Sequence, residues 1–229
     1  MGQDLGAVSA TLVSEQPALC NRLGANVISN SYGGGESASY ASSYSQLNVA
    51  ITVSTGDSGN VAPQSPASYP TVIAVGGTSL TSVTPKSETA WSGAGSYCSA
   101  IYPATAGQTT YNGTEVRACG SQRGAADLSS DADPNTGVAV YDSFAYRGQS
   151  GWLVFGGASV SSPFVGGAIG LAGTWASYGS GGSRLYGVAS SFSDVVSGSN
   201  GSCAGPLCNA GLTWDGPTGL GSLNGTSGL

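Results

Sequence analysis

Residues 151–178 read GWLVFGGASVSSPFVGGAIGLAGTWASY, and the reading of this stretch decides the fold class. Gly151 to Phe155 is a short apolar run, consistent with a buried strand. Phe164 to Tyr178 is long, apolar and rich in small residues, which predicts a buried helix. Between them lies GGASVSSP, residues 156–163. A strand, a glycine-rich turn and a helix opening with serine is a recurring way to present a nucleophile. The glycines permit a sharp turn and close approach by a substrate. The free N–H groups of a helix's first turn place partial positive charge where an oxyanion develops. Pro163 suits such a first turn, because a missing N–H costs little there. Serines at a helix start also act as caps, so local sequence leaves two readings: a nucleophile turn, or a well-capped helix.

Moving outward, the same alternation recurs. Asn26 to Ser31, Val49 to Ser54, Val72 to Val75 and Val138 to Tyr141 read as strands. Residues 5–23 carry Leu5, Val8, Leu12, Leu19 and Leu23 at roughly helical spacing, with Pro17 as a kink and Gly24 as a stop. Glu36 to Leu47 is a second helix candidate. The middle, 84–125, lacks a regular pattern and reads as surface loops. Strands alternating with helices predict an α/β fold with a mostly parallel sheet. Ligands gather at the carboxyl ends of such strands, which here are Asn30-Ser31, Asp57 and Ser159. No internal repeat and no interdomain linker is visible, so the 229 residues read as one domain.

Composition narrows the chemistry. Only 8% of residues are charged and 38 are glycine, yet 40% are hydrophobic and gather into strand-like runs, which favours a compact domain over a disordered tail. Six basic residues against twelve acidic ones give a net charge of −6, and the basic residues form no run, which argues against nucleic acid. No apolar run is long enough to span a membrane, and no signal peptide is visible. There is no histidine. That removes Ser-His-Asp and Cys-His hydrolases and histidine-built zinc sites. A nucleophilic serine here must be activated by a carboxylate or by Lys86. The five cysteines fit no CxxC metal pattern. Cys203 and Cys208 suit a small disulfide loop and Cys98 with Cys119 a longer one, leaving Cys20 over, in an oxidising, extracytoplasmic setting.

Three groups of acids remain. Asp57 sits in Gly56-Asp57-Ser58-Gly59 directly after a strand, either as a turn residue or as a carboxyl group at the mouth of a site. In acidic medium the protonated form can donate a hydrogen bond to an oxyanion. Asp127, Asp131 and Asp133 cluster before Pro134; capping of a turn is the favoured reading over metal ligation or general base chemistry. Asp194 and Asp215 bracket a glycine-rich loop whose carbonyls, with the two carboxylates, suit calcium. The glycosylation sequons at Asn112, Asn200 and Asn224 carry little weight.

Taken together, the chain resembles the sedolisin family of serine-carboxyl peptidases. The matching segments are VISNSYGG (27–34), ITVSTGDSG (51–59), YPTVIAVGGTSL (69–80), WSGAGSYCS (91–99), DLSSDADPNTGVAVYDS (127–143), FGGASVSSPFVGG (155–167) and DVVSGSNGSC with AGLTWDGPTGLG (194–221). They run in family order from about residue 25 to 225, with residues 1–24 as a helical lead-in. The resemblance implies a subtilisin-like, mostly parallel sheet flanked by helices. It also implies a secreted endopeptidase acting at acidic pH on peptide or protein substrates, with neither nucleic acid nor membrane as partner. Ser159 matches the nucleophile of the family's Gly-Thr-Ser motif, with Ala158 replacing threonine. Asp57 matches the aspartate of the oxyanion hole. Ser31, Tyr32, Gly33 and Gly34 match the segment along which the substrate backbone lies. Asp194 and Asp215, with the carbonyls of Val195, Gly211 and Thr213, match the ligands of Ca2+.

One departure stands out. The family's catalytic Glu and Asp lie four residues apart on a helix upstream of the segment matching Val27, and no Glu-x-x-x-Asp occurs in this chain. Asp4 and Glu15 are eleven apart and out of phase. The expectation is therefore a single partial peptidase domain lacking the N-terminal part, 1–229, with the activating pair outside this chain. Surface exposed by a missing part predicts association or aggregation. The rival expectations are a catalytically inactive, peptide-binding or structural module, and a secreted glycine- and serine-rich surface protein.

Overall fold

The computed structural model describes residues 10–111 and 118–229, and for 10–15 the backbone alone. Asp4, Leu5, Val8 and the sequon at Asn112 lie outside the described residues. Four strands form a parallel sheet: β1 (Val27–Asn30), β3 (Ala50–Ser54), β5 (Ile73–Val83) and β9 (Leu128–Asp131). Val27 pairs with Ala50, Thr52 with Ile73, and Val75 with Leu128. β6 (Lys86–Ala90) folds back antiparallel on the far half of β5. The short pair β2 (Gly34–Gly35) and β4 (Gln64–Ser65) lies beyond the ends of β1 and β3.

Both faces of this sheet are covered, which is why its strands read as continuous apolar runs and not as alternating ones. Residues two apart share a face. Ala50, Ile73, Val75 and Leu128 pack against Val165 and Ile169 of the long helix and against Tyr178, Leu185 and Trp214. Ile28, Ile51, Val53, Val72 and Ala74 face the other way, onto Tyr44, Tyr69 and Tyr97. Each such buried Val, Leu or Ile contributes about 1.5–3 kcal/mol.

The first helix, α1, spans Ala10–Arg22 with Pro17 inside it, and Cys20 is a half-buried free thiol against the second cluster. The segment from Glu36 to Leu47 forms only a 3-10 turn at Ala41–Tyr44, with Gln46 bonded to Asn21 and Tyr44 to Tyr32 in tertiary contacts instead. The supposed loops of 84–125 contain β6, β7 (Tyr97–Pro103), the short helix α2 (Ala106–Thr110) and β8 (Gln122–Ala125). They are pinned by the Cys98–Cys119 disulfide and contribute buried Ala94, Tyr97, Gln108 and Arg123 to the interior. The second disulfide, Cys203–Cys208, also forms.

The run Gly151–Phe155 is a strand but not a buried one. It belongs to β11 (Gln149–Phe155), which pairs with β10 (Val138–Tyr146) in a two-stranded ribbon, and Trp152 is 73% exposed there. Trp152 packs edge-on against Tyr141 across the ribbon. The long helix, α3, runs from Ala158 to Ala172, so Pro163 is its sixth residue and no N–H is available there for the Ser159 carbonyl. Its inner face is buried, whereas Phe164 and Leu171 point outward, 61% and 82% exposed.

Of the clustered aspartates, Asp133 caps a turn, while Asp131 bonds across to strand β5. Asp131 accepts from the Leu80 N–H and Asp133 from the Asn135 N–H. Asp127 does something else: it lies fully buried against Arg123, itself 1% exposed, with an N···O distance of 2.7 Å. Burial opposes the charge on Arg123, but the adjacent Asp127 charge and hydrogen bonds outweigh it and raise its pKa. Asp127 also accepts from the Ala74 N–H and the Tyr186 hydroxyl.

Candidate active site

β3 and α3 meet at the cleft through the two-residue period of the strand. Ala50, Thr52 and Ser54 share the face toward α3, so the last of them reaches the helix start. Ser54 Oγ donates to the Ala158 carbonyl at 2.8 Å and lies 3.4 Å from Ser31 Oγ. Beside it, Ser29 and Ser162 hydroxyls are 3.0 Å apart, tying β1 to the same helix.

The chain then turns past Thr55 and Gly56, and Asp57 Oδ1 accepts the Ala158 N–H at 2.7 Å. This is one of the helix's first unpaired N–H groups, and a carboxylate there is favoured both as a cap and by the helix dipole. The cap of α3 thus comes from a distant strand end, not from a serine of the turn. Gly157 precedes the helix at φ 108°, where a side chain is strained. A Cβ at that position would also stand 2.9 Å from Asp57 Oδ2. Ser159 follows, exposed, and among the described residues no protein group hydrogen-bonds its hydroxyl.

In front of Ser159 opens a cavity of about 360 Å³. Ser31, Tyr32 and Gly33 line it together with Ser54, Gly56 and Asp57, and Val61 and Gln64 also border it. Gly34 stands one residue beyond, in β2, paired with Ser65 of β4. The Tyr32 hydroxyl is engaged, donating to Asn30 Oδ1 at 2.8 Å and shared with Tyr44 at 2.8 Å, and burial raises its pKa. Among the described residues Asp57 is the only acid that lines the cleft. The arrangement offers a hydroxyl and a carboxyl group to a bound carbonyl, but no base for the hydroxyl.

The loop between Asp194 and Asp215 lies elsewhere. Thr213 adopts φ 71°, the conformation a glycine would take, and its N–H donates to Asp194 Oδ2 at 2.8 Å. Asp215 is fully buried and accepts from the Gly211 N–H at 3.2 Å and from the Thr218 N–H and hydroxyl. Burial foremost, together with the nearby Asp194 charge, raises the Asp215 pKa to about 7. Val195 is buried beside them. Two carboxylates and neighbouring carbonyls are the hard oxygen donors calcium takes, so the residues fit it in kind. Among the described residues there is no cluster of three or more His, Cys, Asp or Glu for a metal, so carbonyls must complete any such site.

No protein-family model matches the chain. Sedolisin from Pseudomonas sp. (strain 101) is 34% identical over 179 residues, covering 69% of this chain. A solved structure of Pseudomonas sedolisin, complexed with two molecules of pseudo-iodotyrostatin, superposes with a TM-score of 0.72 at 28% identity. It covers 96% of this chain and 67% of its own. This chain is a homologue of sedolisin. It spans only 28% of the length of the Pseudomonas protein it matches in sequence. The S41 psychrophilic protease and sphericase, at 20% and 18% identity with TM-scores of 0.56 and 0.55, share the subtilisin-like fold.

Against that sedolisin frame, the structure brings Ser31, Tyr32, Gly33, Asp57 and Ser159 into one cleft and sets Asp194, Val195, Gly211, Thr213 and Asp215 apart from it. Sequence reasoning missed Ser54, whose place at the end of a strand with period two was a usable signal. It also missed Gln64, for which there was none: β4 is two residues long and is positioned by pairing with β2. Asn200 is buried and donates to the Ala94 carbonyl and to Ser96, so its sequon is structural.

Proposed function

We propose that this chain is the Ser159-bearing part of a sedolisin-like serine-type endopeptidase, a single partial peptidase domain that acts at acidic pH on peptide or protein substrates. One observation carries the reading: Asp57 is bound to the N–H of the residue immediately before an exposed serine, at a helix start that opens into a cleft. In this scheme Ser159 Oγ attacks the scissile carbonyl carbon, and its proton passes to a glutamate supplied with its partner aspartate from outside this chain. Protonated Asp57 donates to the oxyanion that forms. Collapse of the intermediate expels the amine, protonated by the same glutamate, and leaves an acyl-serine that water hydrolyses. The complex of Pseudomonas sedolisin with pseudo-iodotyrostatin supports a ligand-binding cleft here.

Both the oxyanion donor and the carboxylate base tie the rate to acid conditions. Hydrolysis of a quenched fluorescent peptide by the full reading frame encoding this chain is expected to peak below neutrality. A maximum above pH 7 overturns the reading. The second reading, a catalytically inactive peptide-binding module, is favoured by the unbonded Ser159 hydroxyl, and flat hydrolysis at every pH by that full reading frame selects it.

In the same reading Asp194 and Asp215, with the carbonyls of Val195, Gly211 and Thr213, hold Ca2+, which supplies charge neutralisation to the loop. The glycine-like φ of Thr213 supports this. The two disulfides support a secreted protein. β1 pairs on one side only among the described residues, and with outward Phe164 and Leu171 it supports association through that face, which size-exclusion chromatography tests.

A further inference from the structure

We propose that Ser54 is a positioning residue for the acyl-transfer step: its hydroxyl fixes and polarises the Ala158–Ser159 peptide, so that the Ser159 N–H stands as a second donor to the oxyanion beside Asp57. The inference rests on the peptidase reading of the cleft. Two consecutive peptide groups lead into Ser159, and each is gripped from the end of β3. The Gly157–Ala158 peptide gives its N–H to Asp57 Oδ1 at 2.7 Å. The Ala158–Ser159 peptide accepts the Ser54 hydroxyl on its carbonyl at 2.8 Å. The other acceptor within reach of that hydroxyl, Ser31 Oγ, is farther away at 3.4 Å, so the single proton is committed to Ala158. Ser54 is itself buried, and the pairing of β3 with Val75 of β5 fixes its backbone.

The other end of that second peptide is the Ser159 N–H. It belongs to the first turn of α3, whose N–H groups have no carbonyl of the helix to bond. A hydrogen bond accepted by an amide carbonyl polarises the N–H of the same amide, because the two share one conjugated group. Ser54 therefore acts on the Ser159 N–H through the peptide between them. The clamp matters because the helix holds this turn less firmly than usual: Pro163 offers no N–H to the Ser159 carbonyl. The neighbouring strands tie the same turn. Ser29 of β1 meets the Ser162 hydroxyl at 3.0 Å, and the Gly76 carbonyl of β5 accepts from Ser161 Oγ at 2.7 Å. Those two bonds end on side chains of α3, whereas Ser54 reaches the backbone of the peptide that carries the Ser159 N–H.

The test compares the full reading frame encoding this chain, as wild type, with Ser54→Ala and with Ser54→Thr, which keeps the hydroxyl. Ser54→Ala is expected to lower kcat about tenfold while KM stays within about twofold, the pattern of an interaction made in the transition state. A peptide aldehyde, to which Ser159 Oγ adds to place a tetrahedral oxygen where the oxyanion forms, is expected to bind Ser54→Ala about tenfold more weakly. The matching peptide alcohol has no carbonyl to attack and is expected to bind both proteins equally. Ser54→Thr is expected to keep the wild-type values throughout. The role of Ser54 is overturned, and the peptidase reading stands, if Ser54→Ala retains the wild-type kcat, if it weakens aldehyde and alcohol alike, or if a folded Ser54→Thr shares its loss. If the wild-type protein hydrolyses no peptide, that reading falls and the inference with it.

Discussion

Asp127 and Asp57 lie at opposite extremes of the same sheet's chemistry. Asp127 is fully buried and saturated: both oxygens are bound, to the Arg123 guanidinium, the Ala74 N–H and the Tyr186 hydroxyl. Asp57 is exposed, with a backbone N–H as its one hydrogen bond among the described residues and a cleft in front of it. Buried polar groups survive by completing their hydrogen bonds, and a completed network has nothing left for a substrate. A carboxyl group with spare capacity beside an exposed serine does. The contrast separates residues that hold the fold from those that face the chemistry.

The largest expected effect attacks the saturated side. Asp127→Asn leaves a buried guanidinium without its counter-charge and is expected to cost about 3–5 kcal/mol of unfolding free energy, read from urea midpoints. A loss below about 1 kcal/mol would mean that Arg123 finds another partner or water. Next comes the hinge between the regions. Gly157→Ala forces a side chain into φ 108° and against Asp57. It is expected to cost about 1–3 kcal/mol and to displace the Ser159 turn.

Chelation should act on neither carboxylate directly. If the Asp194–Asp215 loop holds Ca2+ as proposed, excess chelator is expected to lower Tm by loosening that loop, and an unchanged Tm would remove the ion from the account. The smallest stability effect belongs to the cleft itself. Ser159→Ala deletes an exposed hydroxyl with no protein partner among the described residues, so unfolding should shift by no more than about 0.5 kcal/mol. Stability effects thus fall from Asp127 to Ser159, and effects on chemistry are expected to run the other way.

Much of this was legible in the sequence. Parallel strands buried on both faces show as apolar runs, and their ends located Ser31 and Asp57, whereas Ser159 was marked by the glycine-rich turn before an apolar helix. The ordered family segments supplied the rest of the fold class. Other features were hidden for identifiable reasons. GWLVF has the composition of a core strand, and nothing local reveals that it stands in a two-stranded ribbon with Trp152 outward. Phe164 has the same difficulty on α3, because an all-apolar helix has no polar stripe to mark its outer side. Arg123 sits in a segment without period, and only long-range packing reveals that it is buried with Asp127. Gln64 reaches the cleft through strand pairing that no local pattern encodes.

The central claim is that Ser159 occupies the nucleophile's place in a peptidase cleft. Its most direct test compares peptide hydrolysis at acidic pH by the full reading frame encoding this chain, wild-type against Ser159→Ala, with unfolding midpoints matched. The account predicts hydrolysis by the wild-type protein, reduced by several orders of magnitude in Ser159→Ala. Equal hydrolysis by the two proteins would contradict it.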